Sequence, residues 1–151
     1  MISVMELMSD EVKTLTAGAR LAEIYALMRE KHIRHVPIVD TAGALLGIVS
    51  YLDVMAATPS RFDEETRREV AYSHTRAGDI MKTGVKTVSS ATSAREAARL
   101  MEKLKIGCLP IVDDHKLVGI ITDSDFLGVA INLMEQFDEQ EAEDSLLDTE
   151  L

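Results

Sequence analysis

The chain has 151 residues, enough for one compact domain or for two small ones that share a core. Tryptophan is absent and aromatic residues are few, so the core must be built from aliphatic side chains and eight methionines. The net charge of −10 lies mostly in residues 135–151, which hold eight acids and no base. The residues before them hold 18 acids against 16 bases. Because no basic stripe is present, non-specific nucleic-acid binding is disfavoured.

The composition also points to a cytoplasmic protein without a membrane span. The start, MISVMELMSDE, has neither a basic leader nor a long apolar stretch, so we expect no signal peptide. No segment approaches the roughly 20 apolar residues that a membrane helix requires. The single cysteine, Cys108, cannot form an intrachain disulfide, which fits a reducing compartment.

An internal repeat organises the chain. Residues 8–40 align with residues 81–113 at a constant offset of 73, and 12 of the 33 pairs are identical. The next turn is one residue shorter in the second copy, so the offset becomes 72 through the motifs GIVSYLD and GIITDSD. A change of length confined to a turn is what a structural repeat tolerates. The sequence therefore predicts two copies of one small fold.

Each copy predicts the order strand, helix, strand, strand, helix. VKTL and VKTV are short β-branched segments, and apolar residues then recur at helical spacing in RLAEIYALMREKH and SAREAARLMEKLK. Ser93 and Glu96 predict a capping box at the start of the second of these helices. HVPIVD and CLPIVD predict strands whose proline favours an edge or a bulge. LLGIVS and LVGIIT predict a third strand, and the final helix begins at Ser50 or Thr122.

Two segments lie outside the copies. Residues 58–78 predict a polar linker with a short exposed helix from about Ser60. The acids of its first turn are Asp63, Glu64 and Glu65. The helix that begins at Asp123 is expected to reach about Met134 and to fray into residues 135–151. We expect this acidic tail to be disordered or fraying because it buries too little apolar surface to offset its ordering entropy, and a partner-binding role stays open.

The repeated motifs resemble the tandem cystathionine-beta-synthase (CBS) domain pair, the Bateman module. V-x-T, an amphipathic helix ending in Leu-Met, P-I-V-D and G-I-[VI]-[ST]-x-x-D all occur twice within residues 1 to about 134. The chain looks most like free-standing bacterial CBS-pair proteins of the acetoin-utilisation type, without their additional C-terminal domain. The resemblance implies an α+β fold: two βαββα repeats, residues 1–57 and 79–134, packed about a pseudo-twofold axis, with small mixed sheets flanked by helices.

The resemblance also implies a function. Proteins of this family are regulatory modules that sense adenine nucleotides in the cleft between the repeats, so we expect AMP, ADP or ATP as ligand, no catalysis and no required cofactor. S-adenosylmethionine or another adenosyl compound would satisfy the same contacts. Such pairs usually form homodimers through their helices. A ligand-free module for dimerisation, or for docking a regulated protein, is the alternative. No nucleophile context, Walker loop or metal-ligand spacing points to an enzyme.

The main site candidates are a hydroxyl and a carboxylate in each copy, namely Ser50 with Asp53 and Thr122 with Asp125. Taken alone, this spacing is an N-cap signature, in which the hydroxyl accepts an amide of the first helical turn. In the family, the same positions contact the nucleotide. A hydroxyl at a helix N-terminus can reach a phosphate, and a carboxylate one turn further can accept both ribose hydroxyls.

Further polar candidates come from the resemblance. Thr14, Val85 and Thr87 lie in the VKT segments, whose backbone meets the adenine edge in the family, although plain strand propensity explains them nearly as well. Arg34 and His35 stand where basic residues of the family point toward ligand phosphates. An exposed arginine without a ligand is the rival interpretation, and which cleft the two residues serve is left open.

Apolar candidates precede or occupy the proline-containing strands. Pro37, Ile106 and Pro110 would form walls for the base, or they could belong to the core alone. The second copy has Gly107 and Cys108 in place of the two basic residues, which suggests that the clefts are unequal. Cys108 itself is expected to be a small core residue.

Overall fold

The computed structural model of the chain describes residues 1–149. Its helices and strands are, in chain order, α1 (Val4–Leu7), α2 (Leu21–Lys31), β1 (His35–Val39), β2 (Leu45–Ser50), α3 (Tyr51–Ala57), α4 (Glu65–His74), α5 (Ala77–Ile80), α6 (Ala94–Leu104), β3 (Cys108–Asp113), β4 (Lys116–Thr122) and α7 (Asp123–Thr149). Helices surround two small antiparallel hairpins, β1 with β2 and β3 with β4. The predicted α+β class is confirmed.

Both hairpins carry a β-bulge directly after the proline-containing part of the first strand. The register shifts between Ile38 and Val39 in one hairpin and between Ile111 and Val112 in the other. Proline lacks an amide hydrogen, and a bulged strand tolerates the missing ladder bond. The structure confirms that these prolines accompany a bulge.

The VKT segments contribute less than a regular strand. Leu15 forms one parallel bridge with Ile38, and Val88 forms the equivalent bridge with Ile111. In the first copy the Leu15 amide donates to the Pro37 carbonyl at 3.1 Å. Hydrogen-bonded turns follow at once in both copies and lead the chain into α2 and α6. The first strand of each repeat is therefore reduced to a single bridge that makes each sheet mixed.

The two long central helices end alike but start differently, because Ser93 caps α6 with its side chain and Arg20 at the start of α2 does not. At the start of α6 the Glu96 amide donates to Ser93 Oγ at 3.1 Å, and the Ser93 amide donates to the Glu96 carboxylate at 3.4 Å. This is the predicted capping box. Both helices end at a residue in the left-handed conformation, His32 with φ 54° and Lys105 with φ 56°. The apolar faces between these ends pack on the hairpins.

The first residues of each repeat pack on the other repeat. Val4 of α1 is fully buried in the core that contains Leu109 and Ile121, whereas Ala77 of α5 is fully buried in the core that contains Leu21. Two backbone bridges accompany this exchange, Ser3–Ser93 and Arg20–Arg76. They are the same contact with the copies interchanged, and such reciprocity is what a twofold axis generates.

A second pair of reciprocal bridges widens both sheets. Ser9 pairs with Ile120 of β4, and Lys82 pairs with Ile48 of β2. The Lys82 amide and carbonyl exchange hydrogen bonds of 2.9 and 3.0 Å with Ile48. The expected limits of the repeats, residues 1–57 and 79–134, thus follow the order of the chain but not its packing, because each repeat donates its leading segment to the opposite core.

The linker helix and the tail differ from expectation. α4 begins at Glu65 and not near Ser60, because the Ser60 carbonyl accepts the Asp63 amide at 2.9 Å and holds residues 60–63 in a turn. Asp63 and Glu64 consequently precede the helix. α7 continues past Met134 to Thr149, so the part of the tail that the structure describes is helical, with its residues exposed. Within residues 1–149, no helix combines the length and apolar character that crossing a bilayer requires.

Candidate functional site

In the first repeat, Ser50 and Asp53 form a complete capping box at the junction of β2 and α3. The Asp53 amide donates to Ser50 Oγ at 3.1 Å, and the Ser50 amide donates to Asp53 Oδ2 at 2.8 Å. The remaining oxygen, Oδ1, lies 3.6 Å from Lys82 Nζ, and the Asp53 side chain is only 14% exposed. Both carboxylate oxygens of Asp53 therefore already have partners within the protein.

In the second repeat, Thr122 and Asp125 meet differently. The Thr122 amide donates to Asp125 Oδ2 at 2.8 Å, and the Thr122 hydroxyl donates to the same oxygen at 3.3 Å. Within the described part of the chain, Asp125 Oδ1 makes no hydrogen bond or ion pair. Asp125 is half-buried, so this oxygen can accept a hydrogen bond from a ligand hydroxyl.

His35 of the first repeat lies against the second. A Cβ built on Gly107 would lie 3.5 Å from the His35 ring and 3.5 Å from a carboxylate oxygen of Asp123, so the ring and this carboxylate flank the same glycine. Burial lowers the pKa of His35, while the charges of Asp123 and Asp53 act to raise it and Arg34 lowers it further. Both distances are ordinary contact distances, so the ring packs directly beside Gly107 of the second repeat.

Arg34 is exposed and borders a concave surface of about 340 Å³ at the C-terminal end of α2. Arg29 and His32 supply two further basic side chains, and Tyr51 closes the opposite side. The Tyr51 amide donates to the Arg34 carbonyl at 2.7 Å, which ties the start of α3 to this surface. Asp53 and Asp125 do not line it, so the structure does not bring these carboxylates into the cavity that contains Arg34.

A second cavity, of about 350 Å³, lies where the two repeats meet. Val85 and Thr87 line one side, and Leu45 and Leu46 of β2 line the other. The remaining lining residues are Ala44, Gly84, Val112 and His115. The cavity therefore combines a VKT segment of one repeat with a strand of the other, but neither Asp53 nor Asp125 lines it.

The remaining site candidates lie in or beside the hydrophobic cores. Pro37 and Pro110 are fully buried, and Ile106 packs against the core of the second repeat, so in this arrangement all three act as core residues. Thr14 is half-buried beside the bridge that Leu15 makes to Pro37. None of these four candidates lines either cavity described above.

Lys82 is the functional candidate that the sequence analysis missed. Its alignment partner at the offset of 73 is Ser9, so the difference in charge was visible in the sequence. The short distance between Lys82 and Asp53 was not visible in the sequence, because it depends on the exchange of leading segments between the repeats. Tyr51 was missed for a simpler reason, since it lies between the two residues of the capping motif and has an aspartate as its counterpart.

Metal binding and cysteine chemistry find no support. Among the residues described, no cluster of three or more histidine, cysteine and acidic side chains could hold a metal ion. Cys108 is buried, as expected, and burial together with the charge of Asp123 raises the pKa of its thiol to about 12. A thiol with so high a pKa is a poor nucleophile at neutral pH.

Comparison with known proteins agrees with this architecture. The CBS domain family model matches residues 4–60 and 77–132. A CBS domain-containing protein of Dictyostelium discoideum is 32% identical over 138 residues, which are 89% of this chain and 94% of that protein. Other relatives are much longer: the chain is 32% identical over 124 residues to the homoserine O-acetyltransferase of Methanococcoides burtonii and spans 23% of its length.

Solved structures resemble the chain over most of its length. A Vibrio cholerae protein named for acetoin utilization (AcuB) is 42% identical with a TM-score of 0.78, covering 92% of this chain and 97% of that one. CBSX2 of Arabidopsis thaliana, solved in complex with AMP, is 26% identical with a TM-score of 0.74, covering 89% and 99%. The CBS domain pair of protein MJ0100, solved with 5'-methylthioadenosine and S-adenosyl-L-methionine, is 26% identical with a TM-score of 0.73, covering 87% and 98%. The two matched repeats, their reciprocal packing and these likenesses together show that the chain belongs to the CBS domain family, as a tandem CBS pair.

Proposed function

We propose that this chain is a regulatory, non-catalytic module that binds an adenine nucleotide, AMP, ADP or ATP, in the cleft between its two repeats. The observation that carries the proposal is the uncommitted Oδ1 of Asp125, on a half-buried carboxylate whose other oxygen is fixed by Thr122. Two neighbours of the same fold support the ligand class, since CBSX2 was solved with AMP and the MJ0100 pair with methylthioadenosine and S-adenosylmethionine.

The carboxylates suit the sugar of such a ligand. An ionised carboxylate is an acceptor only, and a ribose presents two neighbouring hydroxyl donors. Asp125 can accept them without losing a bond to the protein, whereas Asp53 must first release Lys82. A hydrogen bond to a charged group contributes about 1.5 to 3 kcal/mol. Removing a carboxylate that binds ligand should therefore lower the affinity measurably, whereas removing one that only caps a helix should not.

Regulation follows if the ligand prefers one packing of the repeats. A ligand shifts a conformational equilibrium only by the difference between its affinities for the two states. Lys82 of the second repeat lies 3.6 Å from the Asp53 carboxylate of the first, so a ligand held by Asp53 contacts both repeats at once. We infer that the signal is a change in repeat packing, which a regulated partner then senses.

Calorimetry and thermal unfolding with AMP, ADP, ATP, S-adenosylmethionine and methylthioadenosine test the proposal, with GMP as the base control. Ligand at about 100 times its dissociation constant should stabilise the fold by roughly 2.7 kcal/mol. Asp125→Asn and Asp53→Asn should each weaken binding at their own cleft at least about tenfold. Asp79→Asn is the matched control, because the Asp79 carboxylate also caps a helix, accepting the Arg76 amide at 2.9 Å, but belongs to neither candidate motif.

The results separate binding from capping. If no adenosyl compound binds at millimolar concentration, the proposed function is wrong. If ligands bind the wild type and both aspartate variants equally well, while the variants only unfold more easily, the two motifs are helix caps and the site lies elsewhere.

A second candidate function, assembly with another copy, is favoured by exposed apolar side chains on α7. Leu127, Ile131 and Met134 are more than half exposed and follow one another at helical spacing on one face. We propose that this face mediates a homodimer, with or without ligand. Ile131→Asp should then lower the mass measured by light scattering to that of one chain, whereas Leu147→Asp, in the acidic tail, should leave it unchanged.

A further inference from the structure

Lys82 and Ser9 occupy equivalent places in the two halves of the molecule. Lys82 bridges Ile48, the residue after Gly47, and Ser9 bridges Ile120, the residue after Gly119. Each segment therefore runs along the outer edge of the opposite repeat's hairpin. The symmetry of the backbone makes the difference between a lysine and a serine the main change at this position.

Asp53 has one positive charge beside it, that of Lys82. Lys82 Nζ lies 3.6 Å from the Asp53 carboxylate, and the lysine side chain is 72% exposed, so it can turn toward a ligand. His35 pairs with Ser50 across the hairpin, but its ring lies between the two ends of the cleft: burial lowers its pKa, the charges of Asp123 and Asp53 both act to raise it, and Asp123 flanks the same glycine as the ring. Arg34 precedes His35 and borders a separate surface that Asp53 does not line. Lys82 is thus the base that belongs to this end of the cleft alone, which we call the Asp53 end, and the region around Asp125 is the Asp125 end.

The charges around Asp125 are negative. Asp123 lies two residues earlier, at the start of α7, where its amide donates to the Gly107 carbonyl at 3.0 Å. The positions equivalent to Lys82, Arg34 and His35 hold Ser9, Gly107 and Cys108, which carry no positive charge. This end therefore has two carboxylates and no counterpart of Lys82, and it shares the His35 ring with the Asp53 end.

We propose that the two ends select different adenosyl compounds, the Asp53 end those that carry a phosphate and the Asp125 end those that do not, with Lys82 as the residue that decides. This inference rests on the proposed function and refines it. At the Asp53 end the ribose hydroxyls take over the carboxylate, and the ammonium group released from it turns to the phosphate. At the Asp125 end a phosphate would face Asp123 and Asp125 without a cation, so a neutral or cationic adenosyl compound binds better.

AMP and adenosine are the probes, because they differ only in the phosphate. Each aspartate substitution weakens binding at its own end. Calorimetry on the Asp125→Asn chain therefore measures binding at the Asp53 end, and calorimetry on the Asp53→Asn chain measures binding at the Asp125 end. AMP should bind more tightly than adenosine in the first chain, and no more tightly than adenosine in the second. Adding Lys82→Ser to the first chain should reduce the preference for AMP about three- to fivefold, as expected for one partly exposed charge.

The chain offers matched controls. Lys103→Ser removes an exposed lysine from α6, outside both candidate motifs, and should leave the preference for AMP unchanged. Ser9→Lys in the Asp53→Asn chain gives the Asp125 end the missing base and should raise its affinity for AMP relative to adenosine. Lys82→Ser and Ser9→Lys in the otherwise unchanged chain test the same ratio if an aspartate variant fails to fold.

The outcomes distinguish the two proposals. If adenosyl ligands bind but both ends have the same ratio of AMP to adenosine affinity, or Lys82→Ser leaves that ratio unchanged, this inference is overturned and the proposed function stands. If neither AMP nor adenosine nor methylthioadenosine binds the wild-type chain, the proposed function fails first and the inference with it.

Discussion

A Cβ atom built on Gly47 would lie 2.7 Å from the carbonyl oxygen of Lys82, although the two residues belong to opposite repeats. The same carbonyl accepts the Ile48 amide at 3.0 Å, so the exchanged segment is held directly over the glycine. The glycine of the GIVSYLD motif is thus required by the packing of the repeats, before any ligand is considered. Gly119 has the same role beneath Met8 and Ser9.

We expect Gly47→Ala to lower the free energy of unfolding by about 1 to 3 kcal/mol, because the added methyl group meets a backbone oxygen that cannot turn away. Gly119→Ala should cost less, since its nearest neighbour is the flexible side chain of Met8 and the Ser9 oxygen would lie 3.1 Å away. Urea unfolding measures both. Gly18→Ala is the control, because no atom lies within 4 Å of its added Cβ. Equal effects at Gly47 and Gly18 would contradict this account.

Local features of the fold were predictable from the sequence. The start of α3 after Ser50 and of α7 after Thr122 follows from a hydroxyl and a carboxylate three residues apart. In the structure both carboxylates accept the amide of the preceding hydroxyl residue, while only the Ser50 hydroxyl accepts a helix amide. The strands and bulges at Pro37 and Pro110 likewise depend on the residues themselves. Signals of this kind act within a few residues, so one sequence is enough to read them.

Non-local features were not predictable. Nothing within the segment around Val4 indicates that it packs on the second repeat, or that Lys82 lies beside Asp53, because both depend on the exchange between halves. The start of α4 was misplaced because the turn at Ser60 competes with the helix for the same backbone groups. Pro37 and Pro110 were site candidates, and the structure places them in the core, a choice that the pattern alone left open.

The exchange of leading segments predicts that the N-terminus stabilises the second repeat. Val4 is fully buried beside Ala97, Leu109 and Ile121, so Val4→Ala should lower the free energy of unfolding by about 1.5 to 3 kcal/mol. Hydrogen exchange of β3 and β4 amides should quicken more than that of β1 and β2 amides. Met5→Ala, at an exposed neighbouring position, should change neither. Faster exchange confined to the first hairpin would contradict the exchanged packing.

The reactivity of Cys108 should report how often the start of β3 opens. With a pKa of about 12, only about one thiol in ten thousand is ionised at pH 8, so alkylation of the folded protein should be far slower than that of the urea-unfolded chain. Asp123→Asn removes a charge that raises this pKa and should speed labelling modestly, while burial remains the main cause. Labelling rates followed by mass spectrometry test this. Rapid labelling of the folded protein would show that the start of β3 opens.

His35 should make stability sensitive to acid. Burial lowers its pKa in the folded protein below the ordinary value of 6.5, and the charges of Asp123 and Asp53 oppose this shift without cancelling it. The unfolded chain therefore binds a proton more readily, so the contribution of neutral His35 to stability is present above pH 6.5 and is lost as the pH falls from there through the folded pKa. Urea unfolding should show a smaller difference between pH 7.5 and pH 5.5 for His35→Gln than for the wild type. His32→Gln, which changes an exposed histidine, should keep the wild-type difference; if His35→Gln keeps it too, the ring between the repeats does not control the acid response.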